Sequence, residues 1–271
     1  MPDATARPIP VRAPRFALDP ELPRAWLAGD PLATHVVNAL SLLFPEGERF
    51  FIRAVKHYEH VYEDDPALRA RVRGFFGQEG RHGHEHDRFN RMLEAQGFEL
   101  GGFFDFYTRT AWETVEPRVP PHLRLATTAA LEHFTATLAE LALDTPALDD
   151  AHPEVRRMLV WHACEEIEHK SVAFDVLERV DPRWTTRALG LAIGSGVLAV
   201  FFGVALRTLW TQEQALGPDP RAPEDRGAAF WRTLARSRGR IARSVAELLR
   251  PGFHPDQRDN YELARAHLEP E

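Results

Sequence analysis

The sequence predicts an all-α fold built on four main helices, A to D. Three observations carry that expectation. No stretch alternates apolar and polar residues between turn signals, as a half-buried strand does. Four long segments instead place apolar residues at helical spacing, bounded by Pro, Gly or acidic starts. A long interval separates the second of them from the third, long enough to cross the length of a helical bundle.

The elements follow in order. Residues 1–30 are Pro-rich at their start and read as an extended N-terminal segment. PLATHVVNALSLLF, 31–44, is a short apolar helix that Pro45 breaks or restarts, because proline is tolerated in a first turn but not inside a helix. A second helical period runs from Glu46 to about Tyr62 and completes helix A. Helix B covers 66–96 and ends at Gly97. The connection after it contains Gly101, Gly102, Pro117, Pro120 and Pro121. Helix C covers 122–143, and after the polar turn TPALDDAHP helix D covers 153–180. An apolar fifth helix, 183–212, follows, then a charged Pro-rich linker at 217–226 and two short amphipathic helices near 228–249 and 256–268. The expected organisation is a main domain at 31–182, the apolar helix at 183–212 and a C-terminal helical extension at 213–271.

Composition narrows the function. The 271 residues are 44% hydrophobic, enough for one large core or two small ones. The net charge of −7 and arginines interleaved with acids argue against a nucleic-acid partner. Cys164 is the only cysteine, which excludes an internal disulfide and any Cys-rich zinc or iron–sulfur site. The N-terminus has no apolar signal-type core, so a cytoplasmic location is expected. Ala188 to Leu206 carries no charge and is flanked by Arg183, Arg187 and Arg207, with Trp184 and Trp210 outside it. Four readings stay open for it: a buried fifth helix, a homodimer interface, a membrane span, or contact with the inner face of a membrane.

The chemistry lies in two Glu-x-x-His pairs, Glu79/His82 and Glu166/His169, each on one helix face. Glu48 in helix A shares its face with Phe51, Ile52 and Val55, and Glu132 in helix C is in line with Leu125, Ala129, Ala136 and Ala139. A carboxylate on an apolar face requires a partner, because burying a lone charge is costly. The order is Glu, Glu-x-x-His, crossover, Glu, Glu-x-x-His, with spacings of 31 residues (48 to 79) and 34 residues (132 to 166). Four carboxylates and two imidazoles offset most of the charge of two divalent metals, and mixed N/O donors suit iron first and manganese second. Gly80 and Gly83 each cost about 1 kcal/mol in a helix relative to Ala. Close approach of another helix, or access to the metals, would offset that.

QEGRHGHEH, 78–86, also has a rival reading. His82-x-x-Glu85-His86 matches the inverted zinc-hydrolase motif, with His82 and His86 as zinc ligands, Glu85 as the water-activating base and Glu166 as a third ligand. His86 lies one turn after His82 and His162 one turn before Glu166. They are candidates for a catalytic proton-relay pair, for extra ligands, or for groups that orient the carboxylates. His84 is expected in solvent, His133 points about 100° away from Glu132, and Trp161 and the paired phenylalanines are expected in the core.

FPEGERFF (44–51), QEGRHGHEH (78–86), ALEHFTA (130–136) and WHACEEIEHKSVAFDV (161–176) resemble a bacterial family catalogued as predicted metal-dependent hydrolases. More broadly the chain resembles ferritin-like proteins. That pattern implies a four-helix bundle with a long B–C crossover, and Glu48, Glu79, His82, Glu132, Glu166 and His169 as ligands of two metals. Pro45, just before Glu48, departs from an uninterrupted helix A. The function expected first is O2-dependent oxidation of an apolar or lipid-like small molecule, which needs an electron donor. Metal-assisted hydrolysis by an activated water is the alternative, with zinc as its metal under the inverted motif. Metal storage or a membrane-surface interaction protein is the third class.

Overall fold

The computed structural model describes residues 7–224 and 227–268. It is all-α, with no strand among the described residues and one isolated β-bridge, Leu27 to Ala151. The helices are α1 (Pro31–Lys56), α2 (Glu59–Tyr62), α3 (Pro66–Ala95), α4 (Gly101–Tyr107), α5 (Pro121–Asp144), α6 (Pro153–His169), α7 (Val172–Val180), α8 (Trp184–Leu216), α9 (Ala228–Glu247) and α10 (Tyr261–His267).

Local chemistry sets the ends. Asp30 caps α1 by accepting from the Leu32 and Ala33 amides, and Asp65 caps α3 by accepting from Ala67 and Leu68, each with proline next in line. Gly97 (φ 102°) and Gly217 (φ 74°) take the left-handed conformation at the ends of α3 and α8.

Two expectations are corrected and one is refined. Pro45 does not break helix A; α1 runs through it to Lys56. A proline inside a helix leaves the carbonyl four residues earlier without its amide. That carbonyl, on Ser41, accepts instead from Asn90 Nδ2 at 3.3 Å. The B–C connection, read from the sequence only as a long link containing Gly and Pro, carries helix: after α4 it continues as a π-helical stretch, Thr108–Val115, and a 3-10 turn, Glu116–Arg118. Helix D is two helices, with the break at Lys170–Ser171 directly after His169. Two outside contacts hold the break: Lys170 Nζ donates to Asn260 Oδ1 at 2.5 Å, and Ser171 Oγ accepts from Arg71 at 2.7 Å.

Helices α1, α3, α5 and α6/α7 pack together, and α8 lies along α5 and α1 as a fifth helix. At Gly190 of α8 a Cβ would come within 2.5 Å of the Ala126 backbone, so the two helices touch there main chain to main chain. One apolar cluster gathers Leu42, Phe89, Leu93, Met158 and Trp161; another gathers Phe50, Phe75, Leu125, Val172 and Phe174. Between them along the helices lies a layer of buried polar residues. Of the expected N-terminal segment, residues 1–6 lie outside the described residues; residues 7–19 form no regular element, and Ile9 and Phe16 are buried.

Candidate metal centre

The polar layer contains all six residues of the expected ligand set. Glu48 comes from α1, Glu79 and His82 from α3, Glu132 from α5, and Glu166 and His169 from α6. Each is at most 4% exposed. His169 Nε2 lies 3.1 Å from Glu79 Oε1, 3.3 Å from Glu132 Oε2 and 3.6 Å from Glu166 Oε1. His82 Nδ1 lies 3.6 Å from Glu166 Oε1. Two groups each bring three donor atoms within 4.8 Å of one another: Glu48, His82 and His162, and Glu79, Glu166 and His169. His162 therefore joins the cluster, its ring stacked on that of His82 at 4.1 Å. Glu132 reaches the second group through His169.

The donor atoms fit cations. Both carboxylate oxygens of Glu48, Glu79 and Glu132, together with His82 Nδ1 and His169 Nε2, are buried without a hydrogen-bond partner. Buried polar atoms left unpaired are costly and rare, and these converge on a common space. The other nitrogen of each histidine is held. His82 Nε2 meets Glu165 Oε2 at 3.0 Å, and His169 Nδ1 meets Gln78 Oε1 at 2.9 Å. An imidazole fixed at one nitrogen by a carboxylate or amide presents the other as a ligand. These supports join into one chain, because Gln78 Nε2 donates to Glu168 and Arg12 donates to both Glu168 and Glu165.

Charge tells the same story. Burial, and then the charge of Glu79, pushes the Glu48 and Glu132 carboxyls well above the usual range. Burial also raises Glu79. Burial alone would raise Glu166 too, but His169 and His162 hold it well below the ordinary value. Burial, then His162, keeps His82 and His86 well below the normal imidazole range. Burial opposes protonation of His169, yet Glu132 and Glu166 outweigh it and hold its value well above normal. Without metals, Glu48, Glu79 and Glu132 are pushed toward protonation while Glu166 stays ionised; divalent cations would replace those protons.

The zinc reading of QEGRHGHEH, 78–86, fares worse. Both nitrogens of His86 are engaged, Nε2 with His162 Nδ1 at 2.7 Å and Nδ1 with Ser41 Oγ at 2.9 Å. Glu85, the expected base of that site, pairs with Arg88 at 2.6 Å and Arg81 at 3.4 Å, not with His82 or His86. His84 is exposed, as expected, and His133 bonds the Ser244 carbonyl away from the cluster. Sequence reasoning missed Glu165, Gln78 and Arg12. Glu165 neighbours Glu166 and turns about 100° from it, so the ligand-bearing helix face does not include it.

A model of a family described as predicted metal-dependent hydrolase matches residues 10–259. The chain belongs to that family. The match covers every residue of the cluster and the supporting Arg12. No curated protein and no solved structure matches the chain. The likeness to ferritin-like proteins therefore rests on helix order and ligand pattern. Membership of the metal-dependent hydrolase family agrees with two cation-ready groups, and leaves the metal's identity open.

Proposed function

We propose that Glu48, Glu79, His82, Glu132, Glu166 and His169, with His162 beside them, hold two divalent metal ions, and that the centre hydrolyses a small molecule with an apolar part. The observation that carries this is the convergence of eight buried, unpartnered donor atoms. Hydrolysis takes precedence over the oxidation expected first because it agrees with the family description. When bound, the metals would activate water and polarise a substrate oxygen.

The chain's own residues supply the rest. Ser41 Oγ donates to Asn90 Oδ1 at 3.1 Å, so it accepts from His86 Nδ1. His86 Nε2 then accepts from His162 Nδ1, and His162 Nε2 faces Glu166 Oε1 at 2.8 Å. The His162–Glu166 contact thus carries one proton, on nitrogen or oxygen, at the edge of the cluster. We assign His162 and His86 to moving that proton during turnover. Phe44 packs on both rings, with centroids 4.7 and 4.8 Å away, and keeps water from the pair. Thr135 Oγ1 holds the other oxygen of Glu166. Two apolar cavities adjoin the cluster. One, lined by Leu43, Phe51 and Trp112, reaches Glu48; the other, lined by Leu40 and Leu138, reaches His162 and Glu166.

O2-dependent oxidation is the second reading, favoured by the all-nitrogen-and-oxygen donor set beside apolar cavities. Metal analysis of natively purified protein, followed by turnover of short-chain aryl esters with and without O2, separates the two. The hydrolase reading expects two metals per chain and oxygen-independent turnover that falls roughly 100-fold in Glu166→Gln. Substrate-coupled O2 consumption with no anaerobic ester cleavage overturns it.

A further inference from the structure

The outer side of α8 and the arginines of α9 take no part in the metal centre. Of the most apolar 18-residue stretch of α8 only 22% is buried. Trp184, Leu189 and Val200 stand 50%, 52% and 54% exposed, too open for a core helix. On α9, Arg232, Arg236, Arg238 and Arg243 are exposed, and so is Arg207 on α8. None of the five pairs with an acid among the described residues, whereas Arg240 on the same helix is held by Asp144. In a chain of net charge −7, this is a local excess of unneutralised positive charge beside an uncharged apolar face.

The start of α8 is tied to the turn just after α9, where Trp184 Nε1 donates to the Leu249 carbonyl at 2.7 Å. Between the two helices lies a cavity of about 520 Å³, walled by Leu191, Leu198 and Phe202 from α8 and by Leu234 and Ile241 from α9. Its floor includes Leu40 and Leu138, which also wall both cavities adjoining the cluster.

We propose that the α8–α9 face docks on an anionic phospholipid surface. An apolar helix face sinks into the headgroup boundary, and arginines beside it pair with lipid phosphates. The docking is interfacial: the other side of α8 is packed on α5 and α1, so the helix is not free to cross a bilayer by itself. The cavity between the helices would then open toward the lipid.

Flotation of the full chain with phosphatidylcholine vesicles, with and without phosphatidylglycerol, tests this. Light scattering of the lipid-free protein is the companion measurement. Binding is expected only to the anionic vesicles and weaker at high salt. It should fall at least about tenfold when Arg232, Arg236, Arg238 and Arg243 are all changed to Gln. Leu189→Asp with Val200→Asp should abolish it, and thermal melts establish that the variants fold. The proposal is overturned if the wild-type chain does not float, or if the arginine variant binds as well as wild type. It is also overturned if the lipid-free chain is a dimer that Val200→Asp turns into a monomer, since a second copy then covers the face. None of these readouts involves turnover, so failure here leaves the hydrolase reading standing, and the converse holds.

Discussion

Gly83 shows how closely single side chains are fitted at the cluster. A Cβ there would come 3.0 Å from Glu48 Oε2, so the carboxylate would have to shift by a few tenths of an ångström, while the Pro45 Cα at 3.7 Å is in ordinary contact. Gly80, three residues earlier and exposed, has open space around it, and nothing in the structure explains it. The two therefore respond in opposite ways to alanine. Gly83→Ala should displace Glu48 and weaken metal binding about tenfold in a chelator competition. Gly80→Ala should raise stability by about 0.5–1 kcal/mol. Equal metal retention by Gly83→Ala would contradict the close fit. The Glu-x-x-His pairs were legible because one helical turn puts both side chains on one face. Gln78, Glu165 and Arg12 were not, because an amide, a second acid and a distant arginine carry no ligand signature of their own. Their role arises only where α3, α6 and the N-terminal segment meet.

Helix α1 was misread for a related reason. Proline predicts a break from local chemistry, while the group that compensates for it, Asn90, lies on another helix, 49 positions from the Ser41 carbonyl it serves. Losing that amide leaves the buried Ser41 carbonyl unpaired, so Asn90→Ala should cost about 1–3 kcal/mol. Pro45→Ala restores the amide and should reduce the cost of losing Asn90, whose Oδ1 still accepts from Ser41 Oγ. A double-mutant cycle by denaturant unfolding is expected to show coupling of about 1 kcal/mol or more between the two positions; strict additivity would refute the compensation. The break between α6 and α7 was also illegible, since HKSVAF contains no Gly or Pro and its supports, Arg71 and Asn260, come from elsewhere in the chain. The C-terminal extension docks on α7 through His254 Nε2, 2.8 Å from Asp175 Oδ1. The hydrogen bond to Asp175 raises the His254 value above normal. Its contribution to stability is therefore full below the unfolded value of about 6.5 and is lost as pH rises through the higher folded value. Melting curves of wild type and His254→Gln should differ most at low pH and converge as pH increases. A gap that widens toward alkaline pH would reverse the assignment.

The all-α class and the order of ligand-bearing helices were readable because helical periodicity repeats along the whole chain. The π-helical stretch and the packing of α8 were not, since both depend on neighbours far away in sequence. Metals that bind only the folded chain stabilise it by mass action. Stripping both metals with a chelator should lower the melting temperature by roughly 10–20 °C if the two wild-type sites are about 100-fold above their dissociation constants. Glu132→Leu should lose that response, while its metal-free form becomes about 1–3 kcal/mol more stable because an unpaired buried carboxylate is gone. Calorimetry with and without chelator reads both; a metal-free Glu132→Leu protein less stable than metal-free wild type would contradict the strain. The guanidinium clamp has one more consequence. Arg12 grips Glu168, 156 positions further along, and through it Gln78, and it grips Glu165 directly, so it backs both histidine supports. The ribosome delivers the clamp long before the groups it must grasp. The nascent polypeptide therefore cannot lock its imidazoles in register until α6 has emerged from the exit tunnel.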